Sequence, residues 1–182
     1  MAFLTNSQLD SIGLKSYGTN VLISDKASIY SPELITIGSN VRIDDFCILS
    51  GEITLGSFIH IGAYSALYGK FGVVMEDFTG LSPRCIIFSA SDDFSGDYLI
   101  SPMVPDEFSN VTGGLVKISK FSQVGAGTII LPNVIIEQGV AVGAMSLIKD
   151  SLNEWGIYAG IPVTRIGERN KSCKELADNI KL

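Results

Sequence analysis

Branched apolar residues recur at every sixth position over most of this chain. From Ile37 the units open with Ile37, Ile43, Leu49, Leu55, Ile61 and Leu67. The fifth position of each unit is small or medium-sized: Val41, Cys47, Ile53, Ile59 and Ser65. The register returns at Met75, Leu81 and Ile87, then at Ile118, Val124, Ile130, Ile136, Val142 and Ile148, and looser units open at Ile23 and Ile29. Self-similarity at a fixed period marks a repeat architecture, and a six-residue period belongs to the β-helices. One unit cannot bury its own apolar side, so the units must stack into a continuous core. A few extended residues plus a tight turn make one flat side. Three sides close a triangular coil, so residues three units apart become ladder neighbours with their first positions turned inward.

The breaks in the pattern fall in one place. Two extra residues separate Ile29 from Ile37, and two more separate Leu67 from Met75. A long excursion runs from about Phe88 to Lys117. If Ile37 opens side one, Ile43 side two and Leu49 side three, all three interruptions follow a side-three unit and lie at one corner. Insertions confined to one edge suggest an edge reserved for contacts. The long excursion is acidic and carries aromatics, including Asp92, Asp93, Phe94, Tyr98 and Phe108. A loop this long is either a functional arm or a mobile surface segment. Read as an arm, it reaches a neighbouring subunit and helps wall a substrate site. Coils are expected over about 21–153 within a single domain of 182 residues. A short helix is expected over Asn6–Ile12, stopped by Gly13, with Leu9 and Ile12 on one face. A second, amphipathic helix is expected over about 170–182, with Cys173, Leu176 and Ile180 on one face.

Composition narrows the partners. The formal charge is −6 with no Lys/Arg cluster, which argues against nucleic acid and anionic membranes. The three cysteines are scattered, and Cys47 and Cys85 occupy fifth positions where a small buried side chain fits. No disulfide framework or metal spacing is present, so a cytoplasmic protein is expected. The first residues lack a signal-peptide pattern, and no apolar run is long enough to span a bilayer.

After the last units comes Trp155-Gly156-Ile157-Tyr158-Ala159-Gly160-Ile161-Pro162-Val163-Thr164-Arg165. With the hexad array before it, this segment resembles the hexapeptide-repeat acyltransferases. In that family a very similar Ala-Gly-x-Pro segment and a following basic residue close the last coil against acetyl-CoA. Ala159, Gly160, Pro162 and Arg165 match it. The resemblance implies an all-β solenoid, a left-handed parallel β-helix with a long excursion loop and a short C-terminal α-helix. It also implies a homotrimer with acetyl-CoA as cosubstrate in the groove between prisms. Candidate contacts to pantetheine are Gly125, Ala126, Gly143 and Ala144, whose small size permits close backbone approach, although glycine at hexad turns is needed in any case. Lys149 and Arg165 are candidates for the coenzyme phosphates, or ordinary solvated charges.

Acyl transfer from a thioester needs an acceptor that loses a proton, a donor for the thioester oxygen and a way to hold both substrates together. The chain has one histidine, His60, between inward Ile59 and Ile61 and therefore turned outward. Its ladder neighbours are expected to be Arg42 and Gly80, and Asp44 and Asp45 lie where they could orient it. His60 is either the general base or a plain surface histidine. Leu49 to Gly56 resembles the segment of sugar N-acetyltransferases that holds a catalytic His-Glu pair. Glu52 keeps the Glu and Gly51 replaces the His, while His60 matches a second family histidine. Glu52, Asp92, Asp93 and Tyr98 are the candidate substrate-binding residues, with surface pairing to Lys70 the plainer role for Glu52. The expected function is acetyl-CoA-dependent acetylation of a sugar, at an amino group of a nucleotide-linked amino sugar in surface-polysaccharide synthesis. O-acetylation of a galactoside or polysaccharide hydroxyl is the alternative, and a solenoid that only binds is a third. The γ-carbonic anhydrases share the fold but need three histidines for zinc, so no metal is expected.

Overall fold

The computed structural model describes residues 2–180. Three parallel ladders form the sides of a β-solenoid, built from strands of mostly two or three residues. On side one, Tyr17, Ile37, Leu55, Met75, Ile118 and Ile136 are successive partners. Side two stacks Ile23, Ile43, Ile61, Leu81, Val124, Val142 and Tyr158. Side three stacks Ile29, Leu49, Leu67, Ile87, Ile130 and Ile148. Apart from Tyr17 and Tyr158 at the ends, these are the expected first positions in the expected register. From Ile37 and Ile43 through Leu81, Ile118 and Ile130 nearly all are fully buried. At roughly 1.5–3 kcal/mol per buried aliphatic side chain, this stack is the main source of cohesion.

The fifth positions complete the interior. Cys47, Cys85, Val134 and Val140 are fully buried there. Polar residues at the same position are also buried, and each returns a hydrogen bond to a corner carbonyl. Ser122 Oγ donates to the Glu137 oxygen at 2.8 Å and Ser146 Oγ to the Gly143 oxygen at 2.7 Å. A small hydroxyl is tolerated in the core because a coil carbonyl is always within reach.

The corners carry a feature that periodicity does not reveal. After side one, Asn20, Asn40, Phe58, Phe78, Phe121 and Trp155 all adopt left-handed backbone conformations, with φ between 53° and 66°. That region costs an L-residue roughly 1–2 kcal/mol. Stacking along the corner offsets it. Ring centroids are 4.7 Å apart for Phe58–Phe78, 5.3 Å for Phe78–Phe121 and 6.4 Å for Phe121–Trp155, each worth about 0.5–1.5 kcal/mol. Asn20 and Asn40 extend the same ladder through a 2.8 Å amide bond.

All three interruptions leave from the corner between sides three and one, as expected. The long excursion is not structureless. Ala90–Asp92 pairs antiparallel with Val111–Gly113, and a 3-10 turn covers Asp106–Phe108. The backbone groups of its base are thereby satisfied within the loop.

The ends close the solenoid. The helix Asn6–Ile12 starts at a capping box made by Thr5 and Gln8, ends at Gly13 with φ 83°, and seats Leu9 in the core. At the other end, Gly156–Gly160 and Val163–Glu168 form an antiparallel hairpin on the last rung of side two. Arg169 then reaches back, donating to the carbonyls of Phe121 and Gly139. The C-terminal helix spans Cys173–Asp178 and buries none of its residues; Leu176 is 69% exposed. Residues 181–182 of the longer helix expected there lie outside the described residues.

Candidate active site

Because alternate residues of a strand face opposite ways, each ladder has an outer face as well as an inner one. On side two the outer residues are Leu22, Arg42, His60, Gly80, Gln123, Ala141 and Ile157. His60 does lie between Arg42 and Gly80. A Cβ at Gly80 would meet Gln123 Oε1 at 2.5 Å, so a larger residue beside the imidazole would have to displace the Gln123 amide. His60 Nε2 is 2.8 Å from Asp44 Oδ2, and Arg42 donates from Nε to Asp44 Oδ1, also at 2.8 Å. Asp44 is nearly buried, which by itself raises its pKa. The hydrogen bonds and charges of His60 and Arg42 outweigh that and hold it below the usual carboxylate range. Asp45 turns away, to Ser24 and Lys26.

A second group of residues gathers on the corner that carries the interruptions. A hollow of about 880 Å³ is lined by Tyr68, Lys70, Asp92, Ser101, Pro102, Asp106, Ser109 and Val111. Tyr68 stacks on Phe88 at its edge, with ring centroids 5.4 Å apart. Of the substrate-binding candidates only Asp92 lines this hollow. Asp93 accepts from the backbone of Ser95 and from Asn110 Nδ2, each at 2.8 Å. These bonds keep its carboxyl below the usual range and make it a brace of the loop. Tyr98 and Glu52 are exposed, and Glu52 makes no ion pair with Lys70.

The coenzyme candidates form a third group, at the corner that follows side two. Gly125, Gly143 and Ala159 occupy successive rungs, and Ala126, Ala144 and Gly160 lie beside them. A Cβ on Gly125 would meet the Ala144 nitrogen at 2.5 Å, and one on Gly143 would meet the Ala159 Cβ at 3.0 Å. Rung stacking alone therefore requires Gly125, while at Gly143 a side chain would be a tight fit. The result is a trough of small residues in which the Ala126 and Ala144 N–H groups have no partner among the described residues. Pro162 follows a cis peptide at the hairpin turn. Lys149 and Arg165 are exposed beyond the trough, near Asp150 at 3.5 Å and Glu168 at 2.7 Å respectively.

Another hollow, of about 730 Å³, runs along the aromatic corner beneath the C-terminal helix. None of the candidates above lines it, although Phe58 stands two residues from His60. Its polar groups already bond rung to rung, through Thr19, Ser39, Ser57 and Asp77. Burial pushes the thiols of Cys47 and Cys85 up to about 11, so neither is a nucleophile at neutral pH. Among the described residues no cluster of His, Cys, Asp or Glu is placed to hold a metal ion, and no helix is long and apolar enough to cross a membrane.

A parallel solenoid with a small-residue trough, an outward His–Asp pair and one insertion-bearing corner is the framework of a coenzyme A-dependent acyltransferase. Known proteins narrow the class. The chain is 44% identical over 184 residues to dTDP-4-amino-4,6-dideoxy-D-glucose acyltransferase of Escherichia coli, covering 100% of this chain and 96% of that one. It superposes with a TM-score of 0.94 and 52% identity on AntD, an N-acyltransferase from Bacillus cereus in complex with dTDP and 3-hydroxybutyryl-CoA, over 97% and 94% of the two chains. A serine-to-alanine variant of AntD, in complex with dTDP-4-amino-4,6-dideoxyglucose and coenzyme A, gives a TM-score of 0.95 at 52% identity, covering 97% and 96%. No protein-family model matches the chain. The chain belongs to the family of dTDP-amino-sugar N-acyltransferases.

The hexad register placed Arg42 and Gly80 beside His60 and Asp44 within reach of it, as found; the bond that ties Arg42 to Asp44 was not foreseen. Arg42 and Asp44 lie within three residues of each other, but only the ladder brings them to the imidazole. Tyr68 and Lys70 were missed as lining residues. The available signal was the two-residue excess after Leu67, which pushes both toward the excursion loop.

Proposed function

We propose that this chain transfers the acyl group of an acyl-CoA to the 4-amino group of dTDP-4-amino-4,6-dideoxyglucose or a close analogue, in the cytoplasm, for surface-polysaccharide synthesis. Identity of 44% over essentially the whole of an enzyme named for that sugar carries the reading. The acyl group need not be acetyl, because AntD is complexed with 3-hydroxybutyryl-CoA.

The chemistry follows from the three groups of residues. The acceptor amine attacks the thioester carbon as its free base. It must shed a proton as the tetrahedral adduct forms, and His60 receives it; the adduct then collapses with cleavage of the C–S bond, and coenzyme A leaves as the thiol, taking up that proton. Unpartnered N–H groups of the trough, at Ala126 and Ala144, suit the pantetheine carbonyls or the developing oxyanion. Gly125, Gly143, Ala159 and Pro162 shape the trough, and Lys149 and Arg165 meet the coenzyme phosphates. In the second hollow, Lys70 suits the diphosphate of the nucleotide, Tyr68 and Tyr98 offer aromatic faces, and Asp92 with Glu52 accepts from the sugar. Asp93 holds the loop in shape.

Trough and hollow lie on different corners of one prism, and a homotrimer would join them. The outer residues of side three are Ile48, Ala66, Ile86, Ile129 and Leu147. This apolar stripe continues around the corner into exposed Phe46, Tyr64, Met145 and Ile161. With side three turned to a threefold axis, its two bounding corners meet the neighbours. The trough of one subunit then faces the loop of the next, as closed cyclic symmetry requires. The test is release of free thiol from acetyl-CoA and 3-hydroxybutyryl-CoA in the presence of the dTDP amino sugar. The matching 4-hydroxy sugar serves as control. Release with the hydroxy sugar alone would overturn the reading.

A further inference from the structure

The corner between sides two and three carries a ridge of its own. Phe46, Tyr64 and Arg84 occupy successive rungs there, all in the left-handed backbone region, with φ between 61° and 64°. Phe46 and Tyr64 stack with ring centroids 4.9 Å apart. Lys26 lies over the Phe46 ring at 5.5 Å, and the Arg84 guanidinium lies over the Tyr64 ring at 6.0 Å. A cation thus caps each end of an exposed aromatic pair. The two cations differ. Lys26 is paired with Asp45 at 3.4 Å. Arg84 is exposed and meets no carboxylate among the described residues. The ridge stops at Arg84, because the next rung of this corner holds Gly127, whose N–H donates to the Pro83 carbonyl.

The excursion loop has the opposite charge. Residues 85–116 contain five carboxylates and no Lys, Arg or His. Asp92 and Asp106 line the 880 Å³ hollow, and Asp93 braces the loop. Asp97 and Glu107 are exposed, and their carboxylates have no partner among the described residues. Within one chain the ridge and the loop stand apart. Arg84 precedes the side-three strand Ile86–Phe88, and the loop leaves after it. They therefore lie at one height along the prism to within a rung, about 4.8 Å. A threefold axis parallel to the prism preserves height. The loop of one copy then leaves its prism level with Arg84 of the next, across the apolar side that both corners bound.

We infer that Arg84 is a latch for the loop of a neighbouring copy: its guanidinium takes the carboxylate of Asp97 or Glu107 across the interface, and the Phe46–Tyr64 stack holds it ready. The inference rests on the proposed trimer with side three toward the axis. Arg84 is a positioning residue. It fixes the loop that carries Asp92, Ser101 and Asp106, and so holds one wall of the hollow without touching substrate. Enclosure between subunits protects such a pair from the screening it would meet on an open surface.

Charge reversal tests the latch. Arg84→Glu should remain a trimer, because the apolar stripe is untouched. It should raise KM for the dTDP amino sugar about tenfold, with a smaller change for acyl-CoA. Limited proteolysis should cut its loop faster than that of the wild type. Adding Asp97→Arg or Glu107→Arg to Arg84→Glu should restore KM and protection in one of the two combinations. Arg84→Cys combined with Asp97→Cys or Glu107→Cys, at the restoring position, should link chain to chain on oxidation, whereas neither single variant does. An unmoved KM overturns the inference. A raised KM that neither reversal restores also overturns it, and marks Arg84 as a direct ligand of the substrate diphosphate. Linkage within one chain does the same. Sedimentation of the wild type separates the two levels. A monomer sinks the trimer reading itself, whereas a trimer without rescue or linkage sinks the latch alone.

Discussion

Sides two and three of the solenoid are alike inside and opposite outside. Apart from partly buried Ile29 and from Tyr158 at the ends, both bury an unbroken column of Ile, Leu and Val at first positions. Outward, side two presents Arg42, His60, Gly80 and Gln123, while side three presents Ile48, Ala66, Ile86, Ile129 and Leu147. The inner column fixes where each outer residue stands but not what it is. The outer positions are therefore free to carry chemistry on one side and self-association on another. A repeat fold separates the two duties because a strand alternates its faces residue by residue.

The largest expected effect comes from breaking what both sides share. Ile61→Asp would bury an unpaired charge in the side-two column, at a cost of several kcal/mol. Little folded protein should be recovered, and an unchanged melting transition would contradict the register. Acting on the outer face of side two, His60→Ala should leave the fold and coenzyme binding intact. Turnover should fall by about two to four orders of magnitude. The rate should rise with pH through the imidazole midpoint in the wild type, because the neutral ring is the active form, and this acid limb should vanish in the variant. On side three, Ile86→Glu should leave the monomer folded but disperse the assembly, seen by sedimentation, with activity lowered about tenfold or more. A trimer that survived would remove side three from the interface.

The smallest effect concerns neither outer face. Glu76, at the aromatic corner, is held below its usual pKa by the hydrogen bond from Lys117, despite some desolvation, with further help from Lys120. A depressed carboxylate contributes stability that is present above its unfolded value, about 4.3, and is lost as pH falls through the folded value. Glu76→Gln should therefore lower the melting temperature slightly at neutral pH and narrow the gap to wild type on acidification. The pair is partly exposed, so the effect should stay below about 1 kcal/mol.

The inner column was legible because burial leaves a periodic trace. Ile37, Ile43 and Leu49 announce their sides by spacing alone, and so do the interruptions after Ile29 and Leu67. The helix at Asn6–Ile12 was legible from its stop at Gly13. The aromatic corner was not. Phe58, Phe78 and Phe121 occupy a backbone region that residue preferences assign to glycine or asparagine, and only the stacked rungs make it tolerable. The candidate site was legible in part. His60 stood out as a single histidine turned outward, and the trough residues matched a recognised segment. The ladder step that sets Arg42 beside His60, with Asp44 in reach, was legible in the spacing, whereas the rotamer that ties Arg42 to Asp44 leaves no trace there. The long loop could be located but not shaped, because its hairpin base is held by Ala90–Asp92 and Val111–Gly113, which belong to no repeat.

The central claim is that the polar face of side two and the loop of a neighbouring subunit make one site across an interface. Subunit complementation tests it most directly. His60→Ala and Asp92→Ala chains, each nearly inactive alone, are unfolded together, refolded into mixed trimers and assayed with acyl-CoA and the dTDP amino sugar. If each site draws His60 from one subunit and Asp92 from the next, random threefold mixing restores about one quarter of the sites, and activity should reappear to that extent. If mixed trimers form and remain as inactive as either parent, both residues act within one chain and the shared-site account is wrong.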